Sequence, residues 1–184
     1  MRILTTLCLV LSLVASIKAD DKKFLDAYNG QSTDQLIVLA SSYRIDSLVL
    51  AFEQALEQKK AAGKKLSQPE IDILAIEAME REVNNGGYRQ FFTNVPGSHA
   101  AVLPAALERI GCPLAAKISS EALVSLKISG PVTAAKIEAA AAKLDATATA
   151  ELGKLDGRYF QNTEPIAEKL FAYIQAKRNE IVLK

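Results

Sequence analysis

The sequence has little of what catalytic and metal sites need. It contains one histidine, His99, and two cysteines, Cys8 and Cys112. It has no Cys–His spacing of a zinc site and no Glu-x-x-His pair of the di-iron kind. Ser98 adjoins His99, but adjacency does not make a triad, so we expect Ser98 to cap a helix and His99 to be solvated. We therefore expect no metal, no cofactor, no catalytic residue and a non-enzymatic protein.

The sequence also lacks an excess of charge of either sign. Its 22 Lys and Arg residues face 21 Asp and Glu residues. Binding to nucleic acid or to an anionic membrane surface depends on clustered positive charge. We therefore expect neither nucleic acid nor membrane as a partner.

The apolar run at the N-terminus is short. Arg2 precedes a largely apolar stretch from Ile3 to Ile17, which is followed by "KAD". A membrane-spanning helix needs roughly 20 apolar residues, whereas a basic start, a short apolar centre and a small final residue are typical of a secretory signal peptide. We expect residues 1–19 to be this signal peptide and the mature bacterial protein to be periplasmic or secreted. A retained N-terminal anchor is the alternative.

Loss of residues 1–19 would leave Cys112 as the only cysteine. An internal disulfide is then impossible. We expect Cys112 to be buried beside Gly111 and Pro113, with pairing to a second chain as the alternative.

Helical patterns run through most of the chain. Alternating apolar and polar residues, the pattern of strands, are missing, while apolar spacings of three and four recur. Ser67 and Glu70 in "SQPE" form a capping-box start, and the Asn-Asn-Gly-Gly run at 84–87 ends that helix, with a short helical turn to follow. The predicted fold is a single compact all-α bundle of roughly seven or eight helices, with a helical lead-in over 20–45 and the main domain over 46–184.

Later helix boundaries are predicted from prolines, glycines and caps. Pro104 lies either in the first turn of a helix or at a kink in one that begins earlier, and Gly111 ends that helix. The alanine-rich region 134–150 favours helix. Asn162 or Thr163 is expected to cap the last helix.

The stretch "EVNNGGYRQFFTN", residues 82–94, is the strongest candidate for a functional segment. On a helical wheel centred on Ile71, Glu82 and Asn85 fall within the apolar stripe, whereas Glu77 and Glu80 point to water. A carboxylate turned towards the core is disfavoured by several kcal/mol unless it finds donors. The two-glycine turn and the neighbouring side chains would supply them.

Two interpretations of this stretch remain open. In the first, Glu82, Asn85 and Gln90 tie the loop to the core, and the glycines provide positive φ. In the second, the same groups line a pocket beside Phe91 and Phe92 that holds a small ligand or a partner segment, or that serves a hydrolytic protein. The candidate ligand- or partner-binding residues are Glu82, Asn84, Asn85, Gly86, Gly87, Tyr88, Gln90 and Asn94.

The same stretch resembles a bacterial family. Residues 82–94, the pairs Ala106–Leu107 and Ile110–Gly111, and later "DGRYF" and "EKLFAYIQ" are similar to a domain family of unknown function typified by the C-terminal domain of a neisserial DNA mimic protein. The resemblance covers roughly residues 48–174 and implies an all-helical, often dimeric fold. It implies no activity. We expect DNA mimicry not to transfer, because this chain is near neutral and carries an export signal.

Together, these observations predict an exported protein-interaction module, with a homodimer as the assembly to test. A small-ligand-binding or hydrolytic protein is the alternative.

Overall fold

The computed structural model describes residues 22–183, so the predicted signal peptide lies outside the described residues. The fold of this part is all-α, as predicted. Its only β-type pairing is an isolated bridge between Lys23 and Tyr43. Two short 3₁₀ turns, Leu39–Ser41 and Arg178–Glu180, accompany eight α-helices: α1 (Thr33–Val38), α2 (Ile45–Ala61), α3 (Gln68–Asn94), α4 (Gly97–Arg109), α5 (Pro113–Ser125), α6 (Ala134–Ala141), α7 (Ala146–Phe160) and α8 (Ile166–Ala176).

Helix α3 runs through the middle of the bundle. It contacts α2, α4, α6 and α7, and every residue from Ile73 to Met79 is buried. A helix enclosed in this way has no broad polar face along its middle turns. Within residues 22–183, no helix is both long and apolar enough to cross a membrane.

The predicted start of α3 is confirmed in detail. The Ser67 hydroxyl accepts a hydrogen bond from the Glu70 N–H at 3.4 Å, and the Glu70 carboxylate accepts one from the Ser67 N–H at 2.8 Å. The same carboxylate accepts the Val182 N–H at 2.8 Å. This cap therefore also ties the end of the described chain to the core.

The structure decides the open alternative at Pro104, divides the alanine-rich region, and corrects the predicted start of the last helix. Helix α4 begins at Gly97, so Pro104 lies inside it. The alanine-rich region is divided between α6 and α7, because the Asp145 carboxylate caps α7 by accepting the Ala148 N–H at 2.6 Å. The last α-helix begins at Ile166 after Pro165.

The early start of α4 also changes the place of His99. His99 is in the first helical turn and 7% exposed, so the expectation of a solvated histidine is wrong. Its Nδ1 has no hydrogen-bond partner among the described residues. Burial, with a further contribution from Lys60, lowers the pKa of His99. Cys112 is buried as predicted, and burial raises the pKa of its thiol to about 11.

Candidate functional site: the glycine kink of α3

The two glycines of the candidate stretch interrupt the regular helix of α3 and divide it into two segments that meet at a kink. Gly86 has φ −158° and ψ 22°, and Gly87 has φ 75° and ψ −178°. Only Gly87 therefore uses the left-handed region that favours glycine. The predicted break and the short helix after it are confirmed: regular helix resumes at Tyr88 and continues to Asn94.

Glu82 links the two segments across the outer face of the kink. Its Oε2 accepts hydrogen bonds from Gln90 Nε2 at 3.0 Å and from Asn94 Nδ2 at 2.9 Å. Its Oε1 accepts one from Arg81 Nε at 3.2 Å. The bond from Gln90, followed by those from Asn94 and Arg81, lowers the pKa of Glu82. The predicted nitrogen donors are therefore present, and they stabilise the ionised carboxylate.

The predicted orientation of the polar residues on α3 is correct only in part. The Glu82 side chain is mostly buried, with 13% of its surface exposed, and Asn84 is exposed as expected, whereas Asn85, predicted to face the core, is also exposed. Glu77, expected in water, is buried at 8% exposure. The wheel assumed a single apolar stripe, whereas α3 is covered on several sides before the kink, and it emerges at the surface near Arg81.

Asp156 of α7 supports the inner face of the kink. Its Oδ1 accepts the Tyr88 N–H at 2.7 Å, so it caps the second segment of α3. Its carboxylate lies so close to Gly87 that a Cβ added there would overlap it. Gly87 therefore supplies both a positive φ and the space for this cap.

Aromatic residues fill the space beneath the kink. Tyr88 is fully buried, and its hydroxyl lies 2.9 Å from the Ser119 hydroxyl of α5. Its ring packs edge-on against Phe91 and Tyr159, with ring centroids 6.3 and 6.1 Å away. The Tyr159 hydroxyl donates to Glu80. Burial raises the pKa of Glu80, and the bond from Tyr159 offsets part of that shift.

Two depressions lie on either side of the kink. One of about 390 Å³ is lined by Phe92, Asn94, Pro96 and Glu138, among others. The other, of about 210 Å³, lies between α3, α7 and the α7–α8 turn and is lined by Glu80, Asn84, Tyr159, Phe160, Asn162, Glu164 and Ile166. The kink thus separates two small surface cavities.

A second polar cluster, at the start of α3, was not predicted. Asp72 is fully buried and accepts from Arg109 at 2.7 and 2.6 Å and from the Tyr173 hydroxyl at 2.8 Å. Glu70, also fully buried, accepts from Lys59 Nζ at 2.7 Å. Arg109 and Tyr173 lie 37 and 101 residues from Asp72, and Lys59 lies 11 residues before Glu70 on another helix. Only the apolar flanks of these acids could therefore have suggested burial.

The described residues contain no group of three or more His, Cys, Asp or Glu side chains placed to hold a metal ion. The carboxylates of the kink are instead separated onto two faces of the bend, with Glu82 outside and Asp156 inside.

The family comparison covers both α3, which contains the kink, and α7, which supplies the Asp156 cap. The family model described as DMP19-like protein matches residues 64–177, which contain α3 through α8. The chain belongs to the DMP19-like protein family. The resemblance predicted from the sequence is therefore confirmed, although α1 and α2 precede the matched region. No curated protein and no solved structure matches the chain significantly.

The contacts give the DMP19-like motif a physical interpretation. The Glu, Gln and final Asn of the stretch 82–94 are the three residues joined across the outer face of the kink. The Asp of "DGRYF" is the cap of its inner face. Sequence analysis did not predict three residues that contact the kink, namely Asp156, Tyr159 and Ser119. The "DGRYF" similarity was the available signal for the first two.

Proposed function

We propose that this DMP19-like protein is an exported, non-enzymatic module that binds another protein. The observation that supports this most is the use of the motif's polar groups within the protein. Glu82 is occupied by Gln90 and Asn94, and Asp156 by the Tyr88 N–H. Polar groups that bind one another within the protein stabilise the fold, so we expect a partner to be bound by other residues on the surface.

The distribution of surface charge argues against DNA mimicry. Many acidic side chains are matched by neighbouring cations, including the pairs Glu121–Arg158, Glu151–Lys154 and Glu57–Lys60. A surface that imitates DNA needs dense, unmatched negative charge. The whole chain also has nearly equal numbers of positively and negatively charged residues, which argues against DNA mimicry as well.

Partner binding can be tested with tagged residues 20–184. Size-exclusion chromatography with light scattering gives the oligomeric state, and a pull-down from periplasmic extract, competed with untagged protein, reveals specific partners. We expect a homodimer or a retained partner that excess untagged protein displaces. A strict monomer that retains nothing would contradict the proposal.

Export needs its own experiment. Expression of the full chain in a bacterium, followed by fractionation and intact-mass measurement, should place the protein in the periplasm or medium with Asp20 as its first residue. Full-length protein confined to the cytoplasm would refute export and leave the interaction proposal to be decided by the pull-down.

A small-ligand site at Glu82 is the second candidate. It is favoured by the ionised, partly exposed carboxylate that lies beside two side-chain amides. Glu82→Gln keeps the shape and removes the charge. Loss of a screened ligand or hydrolytic activity at an unchanged melting temperature would favour this candidate, whereas a fall in stability alone would favour a structural role.

A further inference from the structure

The smaller depression beside the kink has an unusual balance of hydrogen-bonding groups. Its volume of about 210 Å³ exceeds that of a few water molecules, at roughly 30 Å³ each in the liquid, but is below the range of drug-sized pockets. It suits one functional group of a ligand. Two carboxylates, two side-chain amides, one phenol and the ring of Phe160 line it.

The donors of this lining are directed at its own oxygens. The Tyr159 hydroxyl donates to Glu80 Oε1, and Asn84 Nδ2 donates to the Glu80 carbonyl at 2.7 Å. Asn162 Nδ2 donates to Glu164 Oε2 at 3.3 Å. No Lys or Arg lines the depression. The charged group that a ligand would meet is therefore a carboxylate with no protein cation in the lining, and this favours a ligand that carries positive charge and donates hydrogen bonds.

Glu80 and Glu164 differ in the acceptor capacity they retain. The Glu164 carboxylate caps α5 by accepting the Leu114 and Ala115 N–H groups, both at 2.9 Å. Glu80 Oε2 accepts no hydrogen bond from the described residues, and none of their cations forms an ion pair with it. A partly buried carboxylate without a cation is disfavoured, and a bound cation would remove that cost.

We propose that this depression binds a small organic cation, an alkylguanidinium or alkylammonium group, with Glu80 as its anionic partner. The Phe160 side chain, 59% exposed, supplies a ring face for the cation. The proposal does not depend on partner binding by the rest of the surface. The cation can be a free amine or the Arg or Lys side chain of another protein.

Isothermal titration of residues 20–184 with n-butylguanidinium tests the site. We expect saturable binding, and little binding of n-butylurea, which has the same shape without the charge. Glu80→Gln should weaken binding about tenfold or more, and Phe160→Ala about two- to fivefold. Glu151→Gln is the matched control, since Glu151 is an exposed acid of α7 that does not line the depression, and should leave binding unchanged.

The source of the cation is distinguished by a second probe. N-acetyl-arginine methylamide carries the same guanidinium on a peptide backbone. Binding of both probes supports a site open to a partner's side chain, and binding of butylguanidinium alone supports a free amine. Binding should also strengthen as the pH rises and Glu80 ionises. Absence of saturable binding up to about 10 mM, equal binding of n-butylurea, or unchanged affinity in a folded Glu80→Gln variant would overturn the proposal.

Discussion

The two ends of α3 hold their carboxylates by different means. At the start, Asp72 is fully buried and receives a bidentate pair from Arg109. At the kink, Glu82 keeps part of its side chain in solvent and receives two neutral amides and a single, longer bond from the exposed Arg81. A fully buried carboxylate needs a close, bidentate opposite charge, whereas a partly hydrated carboxylate is stabilised largely by amide dipoles, with a smaller contribution from an exposed cation.

The two carboxylates also differ in which helices supply their partners. The partners of Asp72 come from α4 and α8, so that carboxylate joins three helices. The partners of Glu82 come from the same helix, twelve positions away at most. We therefore expect the first cluster to matter for the whole fold and the second to matter for the angle of the kink.

The largest effect is expected from Asp72→Asn. The change leaves Arg109 without its anion and weakens the bond from Tyr173, so unfolding should become easier by about 3–5 kcal/mol. Urea denaturation measures this. Glu151→Gln, in the exposed pair with Lys154, is the control and should change stability by less than about 0.5 kcal/mol. Similar effects for both variants would remove the contrast.

A smaller loss is expected from Gly87→Ala. Alanine at this position must adopt a positive φ, and its Cβ must displace Asp156 from the Tyr88 N–H. We expect the free energy of unfolding to fall by about 2–3 kcal/mol in total. Gly153→Ala in α7 is the control, because a Cβ there meets no atom within 4 Å, and it should stabilise the helix by about 1 kcal/mol. If Gly87→Ala stabilised the protein to the same extent, the kink would not need its glycine.

Glu82→Gln should cost about 1 kcal/mol near neutral pH. The folded pKa of Glu82 is lowered, so its stabilising effect is present above the unfolded value and is lost as the pH falls through the folded value. Denaturation curves measured from about pH 7 downwards should therefore show a difference between variant and parent that is largest near neutral pH and shrinks as the pH falls. A pH-independent difference would indicate that charge is not the cause.

For Glu77, which lies between the two clusters on α3, we expect stability to change with pH in the opposite direction. Burial, with nearby Glu53 and Glu80, raises its pKa well above the ordinary value. Its ionisation therefore lowers stability as the pH rises from the unfolded pKa towards the folded one. Glu77→Gln should stabilise the protein near neutral pH, by less than about 1 kcal/mol, with no gain near pH 4. Destabilisation at both pH values would refute this.

Local signals in the sequence predicted the fold well. The Ser67 capping box and the Gly86–Gly87 break were predicted correctly, since each depends on residues within four positions of one another. The division between α6 and α7 was missed although it is equally local. Alanine composition outweighed the cap at Asp145, whose side chain can accept a hydrogen bond that begins a helix.

The candidate site was harder to predict, because burial depends on all neighbouring helices. A helical wheel centred on Ile71 predicted that Glu82 faces the core and that Glu77 faces water. However, α3 is contacted by α2, α4, α6 and α7. Glu77 is consequently covered. The partners of Asp72 on other helices lie 37 and 101 residues away in the sequence, and those of Tyr88 lie 31 and 68 residues away. One sequence carries no signal for such pairs beyond the family motif.

A double-mutant cycle between Glu82→Gln and Asn94→Ala measures the link across the kink most directly. We expect the two changes to be coupled by about 0.5–1 kcal/mol at neutral pH, because Glu82→Gln removes the charge that strengthens the hydrogen bond from Asn94, and Asn94→Ala removes that bond altogether. Thr93→Ala, whose hydroxyl donates to the Arg89 carbonyl instead, is the control and should add to Glu82→Gln without coupling. Additive effects of the Glu82 and Asn94 changes, within about 0.3 kcal/mol, would contradict a structural link between the two segments.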